Sequence, residues 1–418
     1  MNSTPIDILV IGAGPSGTVA AAIAHKQGKS VRIVEKSIFP RFVIGESLIP
    51  RVMDHLDEAG LMDCINAKNF QKKFGARFVK NGKVCEFDFS DRFTNGWVWT
   101  WQCPRAEFDY ELVKEVQRKG VQVDFNIEVV SVDMSQDIKK VEVKLPDGSL
   151  ETIHAKFVID ASGYARVLPT LLGTVKQAKL PPRKAMFVHC KDENRPVGRE
   201  GWMITFVVHR VDVWIWVIPF SNGICSIGVV GNPDFFKDFS GTPEEVVRQI
   251  IEQDPNYRDR FRNTEFLWEP KTIEAYSAST SEMYGKGYAL VGNSVEFLDP
   301  VFSSGVMFAT ESGSLAAKLA VRELNGEQVD WHKEYELYIQ KAVETFKTYV
   351  ASWYDGALQD VFFADNPDPK IKRQLSSILA GYVWDMKNPW VRNHTKLVYN
   401  VSDLLKKNGN RMDALSMQ

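Results

Sequence analysis

A glycine-rich turn near the amino terminus constrains the fold of this 418-residue chain more than any other feature. The apolar run Ile6–Ile11 ends at Gly12-Ala13-Gly14-Pro15-Ser16-Gly17, and the small residues 19–24 continue as a helix. Residues 30–35 form a second apolar run that ends at Glu35. A strand, a tight turn, a helix and a second strand of these lengths make a β-α-β unit, so we expect an α/β fold.

The spacing of the glycines predicts a dinucleotide-binding site. Gly12 permits the tight turn, Gly14 lets the backbone approach a pyrophosphate, and Gly17 lets helix and strand pack closely. The pyrophosphate would lie at the helix N-terminus, where unpaired N–H groups favour an anion. A purely structural glycine turn is the alternative. Glu35 would accept hydrogen bonds from the ribose. The residues expected to bind this end of the cofactor are Gly12, Ala13, Gly14, Pro15, Ser16, Gly17, Glu35 and Lys36.

Composition and charge exclude several other classes of protein. The chain is 44% hydrophobic and 25% charged, which is typical of a globular protein. Its 51 basic residues nearly balance its 53 acidic ones, so the charge gives no reason to expect a nucleic-acid partner. No apolar run approaches the ~20 residues that span a bilayer, and a signal region is absent, so we expect no membrane association. The five cysteines lack a CxxC pair and the seven histidines lack metal spacing, which predicts reduced thiols in a cytoplasmic protein without a metal site.

The rest of the chain shows both strand and helix patterns. Strand-like patterning occurs at residues 97–102, 202–208, 214–220 and 224–230, and Asn222-Gly223 favours a hairpin turn between the last two. Amphipathic helices are expected at residues 108–119, 243–252 and 311–324, and the pattern becomes mainly helical from about residue 329. Residues 361–418 carry nine Lys or Arg, among them Arg411, against five acidic residues, which predicts a mildly basic end.

Two distant segments narrow the kind of dinucleotide. Residues 157–163 form an apolar strand that ends in Asp160-Ala161-Ser162-Gly163, and residues 287–293 form another that ends in Gly292-Asn293. With Leu298-Asp299-Pro300 and a helix after Gly305, this layout resembles the FAD-binding proteins of the glutathione-reductase type. In the aromatic-hydroxylase and geranylgeranyl-reductase branch the second segment usually ends in Gly-Asp, and Asn293 stands in that position here. The Asp-Gly motif of NADPH-using hydroxylases is also absent, which argues against a resident nicotinamide site.

Three further segments resemble the flavin-dependent halogenases. Residues 41–50 (RFVIGESLIP) are similar to the Gly-Glu-Ser-Leu flavin strap of that family, and residues 214–219 (WIWVIP) match its WxWxIP signature. Residues 299–306 (DPVFSSGV) are similar to its flavin and halide loop. The period-2 spacing of Trp214 and Trp216 also fits any half-buried strand, so core packing is the alternative for that motif alone. The resemblance covers roughly residues 5–325.

The resemblance implies a discontinuous Rossmann-like FAD-binding domain with an interleaved β-rich substrate domain. The FAD-binding domain would comprise residues 1–70, 104–175 and 281–328, the substrate domain residues 71–103 and 176–280, and a helical C-terminal region residues 329–418. The family also implies further contacts to FAD. These are Arg41, Glu46, Ser47, Arg105, Asp160, Gly163, Asn293, Pro300, Gly305 and Val306.

The family's essential lysine lies in a segment like Phe-x-x-Lys-x-Gly-Ala, which residues 70–76 place at Lys73. The resemblance implies that reduced FAD, O2 and chloride or bromide give hypohalous acid. A lysine ammonium can hydrogen-bond and polarise this acid, or a lysine whose pKa is lowered by burial can react to a haloamine. Outside the family context, the adjacent pair Lys72 and Lys73 is typical of a solvated surface.

The same resemblance predicts the halide and substrate sites. Halide is expected at the backbone N–H groups of Ser304 and Gly305, where an ordinary helix N-cap at Ser303 or Ser304 is compatible. The substrate pocket would contain Trp214, Trp216 and Phe302. Tryptophan halogenases carry a glutamate at the position of Phe302, so we expect a ring that is already electron-rich, a phenol or a pyrrole. This ring would arrive free or tethered to an acidic carrier protein, which the basic end could receive, although such a charge excess is more often plain surface.

We therefore expect an FAD-dependent halogenase that obtains reduced flavin from a separate flavin reductase. The first alternative is an aromatic hydroxylase or geranylgeranyl-reductase-like oxidoreductase of the same fold, which would not need Lys73. The second is a binding protein that has lost its flavin, against which the intact glycine turn and Glu35 argue.

Overall fold

The computed structural model describes residues 4–177 and 180–409, so the basic residue Arg411 lies outside the described residues. The strands in these ranges are β1 (Ile6–Ile11), β2 (Val31–Glu35), β3 (Gln71–Lys73), β4 (Gly75–Lys80), β5 (Lys83–Asp88), β6 (Thr100–Gln102), β7 (Gln122–Phe125), β8 (Glu128–Asp133), β9 (Lys139–Lys144), β10 (Leu150–Asp160), β11 (Val175–Gln177), β12 (Lys184–Lys191), β13 (Thr205–Arg210), β14 (Val213–Pro219), β15 (Ile224–Gly231), β16 (Lys271–Glu274), β17 (Ala278–Thr280), β18 (Tyr284–Gly285), β19 (Tyr288–Leu290) and β20 (Glu296–Phe297).

The helices in the same ranges are α1 (Pro15–Lys26), α2 (Arg51–Glu58), α3 (Met62–Asn66), α4 (Arg105–Arg118), α5 (Val167–Leu171), α6 (Arg199–Trp202), α7 (Pro243–Gln253), α8 (Arg258–Phe261), α9 (Gly305–Leu324), α10 (Leu337–Tyr354), α11 (Ala357–Phe362), α12 (Pro369–Leu379), α13 (Pro389–Arg392) and α14 (His394–Lys407). None of them is both long and apolar enough to cross a membrane.

A mainly parallel sheet lies at the centre of the molecule. Its strands run in the order β18-β19-β10-β1-β2-β7, and the five from β19 to β7 are parallel to one another. Residues 8–11 of the central strand β1 are buried on both faces, which is why these four residues are all apolar, whereas the partly buried Asp7 at the other end pairs with Lys156. Helix α1 packs against α9, and its small residues allow that close approach. The predicted β-α-β unit is confirmed.

The parallel direction of these strands brings distant loops together. Strands β1, β2, β10 and β19 end at Ile11, Glu35, Asp160 and Leu290, and the carboxyl ends of neighbouring parallel strands meet at one edge of the sheet. Ligands of open α/β sheets bind outside that edge. The glycine turn and the two other predicted loops therefore converge on one place.

A second sheet carries the tryptophan-rich strand. Its order is β16-β12-β15-β14-β13-β4-β5, and β14 and β15 form the predicted hairpin, with Trp216 opposite Gly228. Trp214, Trp216 and Ile218 face the main core, while the alternate residues of β14 face a second apolar cluster that includes helix α7. The expected α/β class with an interleaved β-rich part and a helical C-terminal region is confirmed, whereas the exact domain limits stay a prediction.

Four of the predicted elements differ from the structure by more than one residue at an end. The strand expected at residues 97–102 is reduced to β6, because the Trp97 N–H donates to the Tyr382 hydroxyl (2.7 Å) instead of joining a ladder. The strand expected at 202–208 begins at Thr205, because the preceding residues form helix α6. The helices expected at 108–119 and 311–324 begin earlier, at Arg105 and Gly305.

A buried charge cluster attaches the C-terminal region to the central sheet's helices. The Glu311 carboxylate of α9 accepts hydrogen bonds from Arg51 Nε (2.8 Å) and from the Tyr338 hydroxyl (2.8 Å), and His55 Nε2 lies 2.8 Å from it. Burial would raise the pKa of Glu311, but its hydrogen bonds to His55 and Arg51 lower that pKa to about 2. The carboxylate is therefore charged at every ordinary pH.

We expect Glu311→Gln to lower the free energy of unfolding by roughly 3 kcal/mol, because Arg51 loses its buried counter-charge. Glu311 titrates near 4.5 when unfolded and near 2 when folded, so its stabilisation is present above pH 4.5 and is lost as the pH falls towards 2. Urea unfolding at pH 4 and pH 7 measures this. The exposed pair of Glu252 and Arg262 supplies the control Glu252→Gln, for which we expect less than about 1 kcal/mol. Equal effects of the two changes would contradict this interpretation.

Candidate active site

One large cavity lies at the carboxyl edge of the parallel sheet. Its volume is about 590 Å³, within the range of cofactor and ligand sites. It is lined by the turn after β1, the end of β2, the loops after β10 and β19, and the start of α9. The predicted site residues on its wall are Gly12, Gly14, Pro15, Ser16, Glu35, Lys36, Arg41, Glu46, Ser47, Arg105, Gly163, Trp214, Trp216, Asn293, Pro300, Gly305 and Val306.

The three glycines of the first turn have the backbone geometry and steric room that the three predicted roles require. Gly12 has φ +101°, and a Cβ there would lie 2.5 Å from the Ala161 carbonyl oxygen. A Cβ on Gly17 would lie 2.0 Å from the Gly12 carbonyl oxygen, so this glycine is needed for close packing. A Cβ on Gly14 would meet nothing nearer than Arg41, at 3.7 Å. The backbone at Gly14 is therefore open towards the cavity, as the approach of a pyrophosphate requires.

Polar atoms left unsatisfied around this turn fit a bound dinucleotide. The Ser16 hydroxyl at the start of α1 is buried and has no hydrogen-bond partner among the described residues. The Glu35 carboxylate accepts the Ala13 N–H and the Ser37 N–H, each at 2.8 Å, and each oxygen keeps a lone pair for a ribose hydroxyl. Lys36 is exposed and pairs with Glu128 across the cavity rim. These donors and acceptors suit the adenosine diphosphate part of FAD.

An arginine holds the predicted flavin strap in place. The buried Arg105 donates through Nη1 to the carbonyl oxygens of Ile44 (3.2 Å) and Gly45 (3.3 Å). Its other nitrogens pair with both oxygens of Asp109, and Arg41 also pairs with Asp109 (3.0 Å). Asp109 was missed by the sequence analysis, although its i,i+4 spacing from Arg105 on one helix was a usable signal.

The strap also contains a carboxylate that faces the second sheet. Glu46 is buried, and one of its oxygens lies 2.7 Å from His189 Nε2 of β12. The other oxygen has no partner in the described part of the chain. This unsatisfied oxygen belongs to a residue of the cavity wall, which fits the expected contact to a flavin.

An apolar surface of the second sheet, which we call the tryptophan wall, closes one part of the cavity. It consists of Ile204, Phe206, Trp214, Trp216 and Ile218. Both indole N–H groups are used elsewhere, because Trp214 donates to the Tyr354 hydroxyl (2.9 Å) and Trp216 donates to the Ser226 hydroxyl (3.1 Å). The wall therefore presents only carbon and ring surfaces, which suit contact with an aromatic ring.

Lys73 is buried, whereas its neighbour Lys72 is exposed. Only 1% of Lys73 is accessible, and its amine donates to the Ser47 hydroxyl (2.8 Å) and the Leu48 carbonyl (2.7 Å). No carboxylate in residues 4–177 and 180–409 pairs with this amine. Burial lowers the pKa of Lys73 to about 7. The alternative that the adjacent lysines form a solvated surface is therefore correct for Lys72 and wrong for Lys73.

The Lys73 amine lies one hydrogen bond behind the cavity wall. Ser47, which accepts from it, lines the cavity, while Lys73 itself does not. Strands β3 and β6 pair Lys73 with Thr100, and Gln102 of β6 joins this ribbon to the tryptophan wall through Ile204 N–H (2.8 Å) and the Pro219 carbonyl (2.7 Å). The amine is thus held where the strap and the tryptophan wall meet.

Six of the predicted site residues, including Lys73, do not line the cavity. For three of them, Asp160, Phe302 and Ser304, the structure shows contacts that differ from the predicted contact with a ligand. Asp160 is fully buried and accepts the N–H groups of Ser162 (2.8 Å) and Leu168 (2.7 Å), so it orders its own loop. Phe302 points away, against Tyr349 and Trp353 of α10, with ring centroids 6.5 and 6.0 Å apart.

The third such residue is Ser304, which is buried at the N-cap position of α9 without a side-chain cap bond. Its neighbours Ser303 and Gly305 line the cavity instead. Ala13 and Gly17 also lie behind the wall, where their roles are the hydrogen bond to Glu35 and the packing described above.

The comparisons with known proteins agree with this cavity. Residues 5–258 match the family described as FAD binding domain, which is more than half of the chain. A tryptophan 2-halogenase of Chondromyces crocatus is 32% identical over 85% of this chain and 69% of its own length. A 1H-pyrrole-2-carbonyl-[peptidyl-carrier protein] chlorinase of Pseudomonas fluorescens is 28% identical over 93% of this chain and 91% of its own length.

A solved structure, that of a flavoprotein/dehydrogenase from Cytophaga hutchinsonii, is 49% identical and covers 97% of this chain and 100% of its own. Its TM-score to this chain is 0.95. Fold and cavity thus define an FAD-binding oxidoreductase. The chain belongs to the flavin-dependent halogenase family, which confirms the resemblance inferred from the three sequence segments.

The low pKa of Lys73 gives a test of its burial. Unfolded lysine titrates near 10.5, so between pH 7 and 10.5 the unfolded chain binds a proton that the folded chain lacks. The stability of the native protein therefore rises with pH in this window, and the cost of the buried amine is complete below pH 7. Lys73→Met removes this titration. We compare the free energy of unfolding of Lys73→Met with that of the native protein. As the pH falls from 9.5 to 7.5, we expect this difference to change in favour of the variant by roughly 1.4 kcal/mol per pH unit.

Urea unfolding at three pH values across this window measures the effect. Lys72→Met is the matched control, because it removes an exposed lysine amine one residue away on the same strand. Parallel pH dependence of the native protein and Lys73→Met would show that the Lys73 amine keeps an ordinary pKa.

Proposed function

We propose that this halogenase transfers an electrophilic halogen from hypohalous acid to an electron-rich aromatic ring through Lys73. The observation that carries the proposal is the burial of the Lys73 amine, one hydrogen bond from the cavity and beside an apolar wall suited to a ring. A solvated amine could not confine such an oxidant. A hydroxylase or reductase of this fold has no use for a buried cation at this place.

Bound reduced FAD supplies the activation of O2 that, with chloride or bromide, yields hypohalous acid. The chain's own residues would bind and orient this cofactor: the turn from Gly12 to Gly17 and Glu35 at one end, and the strap held by Arg105 at the other. We propose that halide binds at the backbone N–H groups of Ser304 and Gly305. Support comes from the place of Gly305 on the cavity wall at the start of the 20-residue helix α9.

Lys73 can act in either of two protonation states, since its pKa is about 7. The protonated amine uses two donors on Ser47 and Leu48, and its third donor is free to hydrogen-bond and polarise the hypohalous acid. Alternatively the neutral amine attacks the halogen, so that an N–halogen bond forms, the oxygen–halogen bond breaks, and the amine proton and hydroxide leave as water. The ring then takes the halogen and loses a proton in exchange.

We infer that the substrate is a phenol or a pyrrole, free or tethered to a carrier protein. The tryptophan wall carries no carboxylate that could assist attack by a less reactive ring, and Phe302 supplies none. The name of the Pseudomonas fluorescens relative, a pyrrole-carrier-protein chlorinase, supports the tethered form. The basic end of the chain remains a candidate surface for an acidic carrier.

A separate flavin reductase is part of the proposal. The Asp160-Ala161-Ser162-Gly163 loop departs from the Asp-Gly motif of NADPH-using hydroxylases, and its Asp160 is fully used in ordering the loop. The five cysteines are free thiols, which supports the proposed reducing, cytoplasmic environment.

We expect Lys73→Ala to abolish halogenated product from phenol or a pyrrole amide, a loss of at least about a hundredfold, because no other lysine amine of the described residues is hydrogen-bonded to Ser47. FAD affinity and peroxide formation should persist. Mass spectrometry of the products, with an FAD titration and a peroxide assay, measures both effects. Lys72→Ala, one residue away and exposed, should halogenate like the native protein. Continued halogenation by Lys73→Ala would remove this residue from the mechanism.

The purified protein should oxidise NADPH slowly until a flavin reductase is added, because its own loops lack the nicotinamide motif. NADPH absorbance, followed with and without the reductase, measures this. Fast NADPH turnover by the protein alone, with a hydroxylated product, would favour the hydroxylase alternative.

A further inference from the structure

We propose that Tyr354, at the end of helix α10, is a positioning residue of the halogenation site. It fixes the tryptophan wall relative to residues 299–304, which we call the flavin-side loop. The inference rests on the proposed function and extends it to the C-terminal helical region, to which the sequence motifs assign no role. Tyr354 does not line the cavity, so it acts through the residues that it holds.

The Tyr354 hydroxyl joins two of the family segments. It accepts the indole N–H of Trp214 at 2.9 Å and donates to Asp299 Oδ2 at 2.9 Å. A hydroxyl has one proton to donate, so its donor is fully committed to Asp299. Trp214 belongs to the WxWxIP strand and Asp299 opens the loop that leads to Gly305. No other described hydroxyl is hydrogen-bonded to both segments.

Asp299 passes this constraint on to the flavin-side loop. Its Oδ1 accepts the Val301 N–H at 2.9 Å and so fixes the turn of residues 300–302. The chain then reaches Ser303, whose φ of +55° is strained for a residue with a side chain, and enters α9 at Gly305. The placement of the amides at the start of α9 therefore depends on where Asp299 is held.

Trp214 is constrained from the other side. Its indole N–H is bound by Tyr354, so its ring presents carbon to the cavity. Without that acceptor the indole could turn its N–H towards the cavity, where it would compete with Lys73 for hypohalous acid. We expect oxidant that is hydrogen-bonded away from Lys73 to escape from the site instead of reaching the ring.

The groups around Asp299 make the arrangement sensitive to pH. Burial raises the pKa of Asp299 to about 6, while hydrogen bonds from Val301 N–H, Tyr354 and Tyr276, together with the Arg183 charge, oppose that rise. The Tyr276 hydroxyl lies 3.4 Å from Asp299 Oδ2. The Arg183 guanidinium lies over the Tyr354 ring, 3.7 Å from its centroid, and Tyr164 is a further titratable group that interacts with Asp299. Removing the Tyr354 hydroxyl removes one interaction that lowers the pKa, so Asp299 would then protonate at a higher pH.

The test compares full-length Tyr354→Phe with Tyr349→Phe in the FAD-loaded protein. Tyr349 lies on the same helix, is buried, and donates to the Trp390 carbonyl (2.8 Å) away from the cavity. Tyr349→Phe thus loses one buried hydrogen bond away from the cavity, whereas Tyr354→Phe loses the two that join Trp214 to Asp299. With phenol as the probe, chloride, NADPH and an added flavin reductase, we measure halogenated phenol per O2 consumed from pH 5 to pH 8.

For Tyr354→Phe we expect the yield per O2 to fall about tenfold and the acid limb of the yield to move up by about one pH unit, because a hydrogen bond to a charged group is lost. Tyr349→Phe should keep the native yield and the native midpoint. Unchanged values in Tyr354→Phe, or the same changes in Tyr349→Phe, would overturn the proposal.

A second readout separates this inference from the proposed function. The dissociation constant of FAD, measured by flavin fluorescence across the same pH range, should show a transition near pH 6 that moves to higher pH in Tyr354→Phe and vanishes in Asp299→Asn. If the native protein halogenates no phenol or pyrrole yet shows this pattern, the halogenation proposal fails and the positioning role stands. If the native protein halogenates the probe, but the pH dependence of FAD binding is the same in the native protein, Tyr354→Phe and Asp299→Asn, the positioning role is wrong and the halogenation proposal stands. If Tyr354→Phe does not fold, Asp299→Asn is used in its place, since it removes the carboxylate to which Tyr354 donates.

Discussion

The Lys73 amine is buried with no carboxylate partner in the part of the chain that the structure describes, and the rest of the site depends on this constraint. A buried lysine ammonium must donate its hydrogen bonds to protein acceptors in place of water. Here the acceptors are Ser47 and Leu48, both in the flavin strap. The path of the strap is fixed by Arg105, whose charge is balanced by Asp109. The Lys73 amine, the strap and the Arg105–Asp109 pair are therefore connected by hydrogen bonds, so a change in the path of the strap also changes the environment of the lysine.

Features that the sequence predicts well are those whose cause is local. The glycine turn is specified by backbone sterics, since Gly12 has a positive φ and Gly17 touches a carbonyl. The direction of Trp214 and Trp216 follows from the period of a strand, and Asn222-Gly223 specifies the hairpin. In β14 both interpretations of the tryptophan motif hold at once, because the two indoles are buried and also line the cavity.

Features that depend on distant parts of the chain could not be predicted in this way. The orientation of Phe302 is decided by α10, about fifty residues later, and the shortened strand before Gln102 by the Tyr382 hydroxyl. The different burial of Lys72 and Lys73 follows from the pairing of β3 with β6, since successive side chains of a strand face opposite ways. The family resemblance singles out Lys73 as the candidate catalytic residue, whereas the burial of Lys73 depends on tertiary packing that the local pattern does not contain.

The C-terminal helices also explain why a single substitution would not convert this site into that of a tryptophan halogenase. The family resemblance places the glutamate of those enzymes at Phe302, which here packs against the fully buried Trp353. A carboxylate at that position would lie among aromatic rings, where desolvation favours its neutral form and removes the charge that would assist the reaction. The position is therefore a packing position in this chain, which is the physical reason for proposing a ring that needs no such assistance.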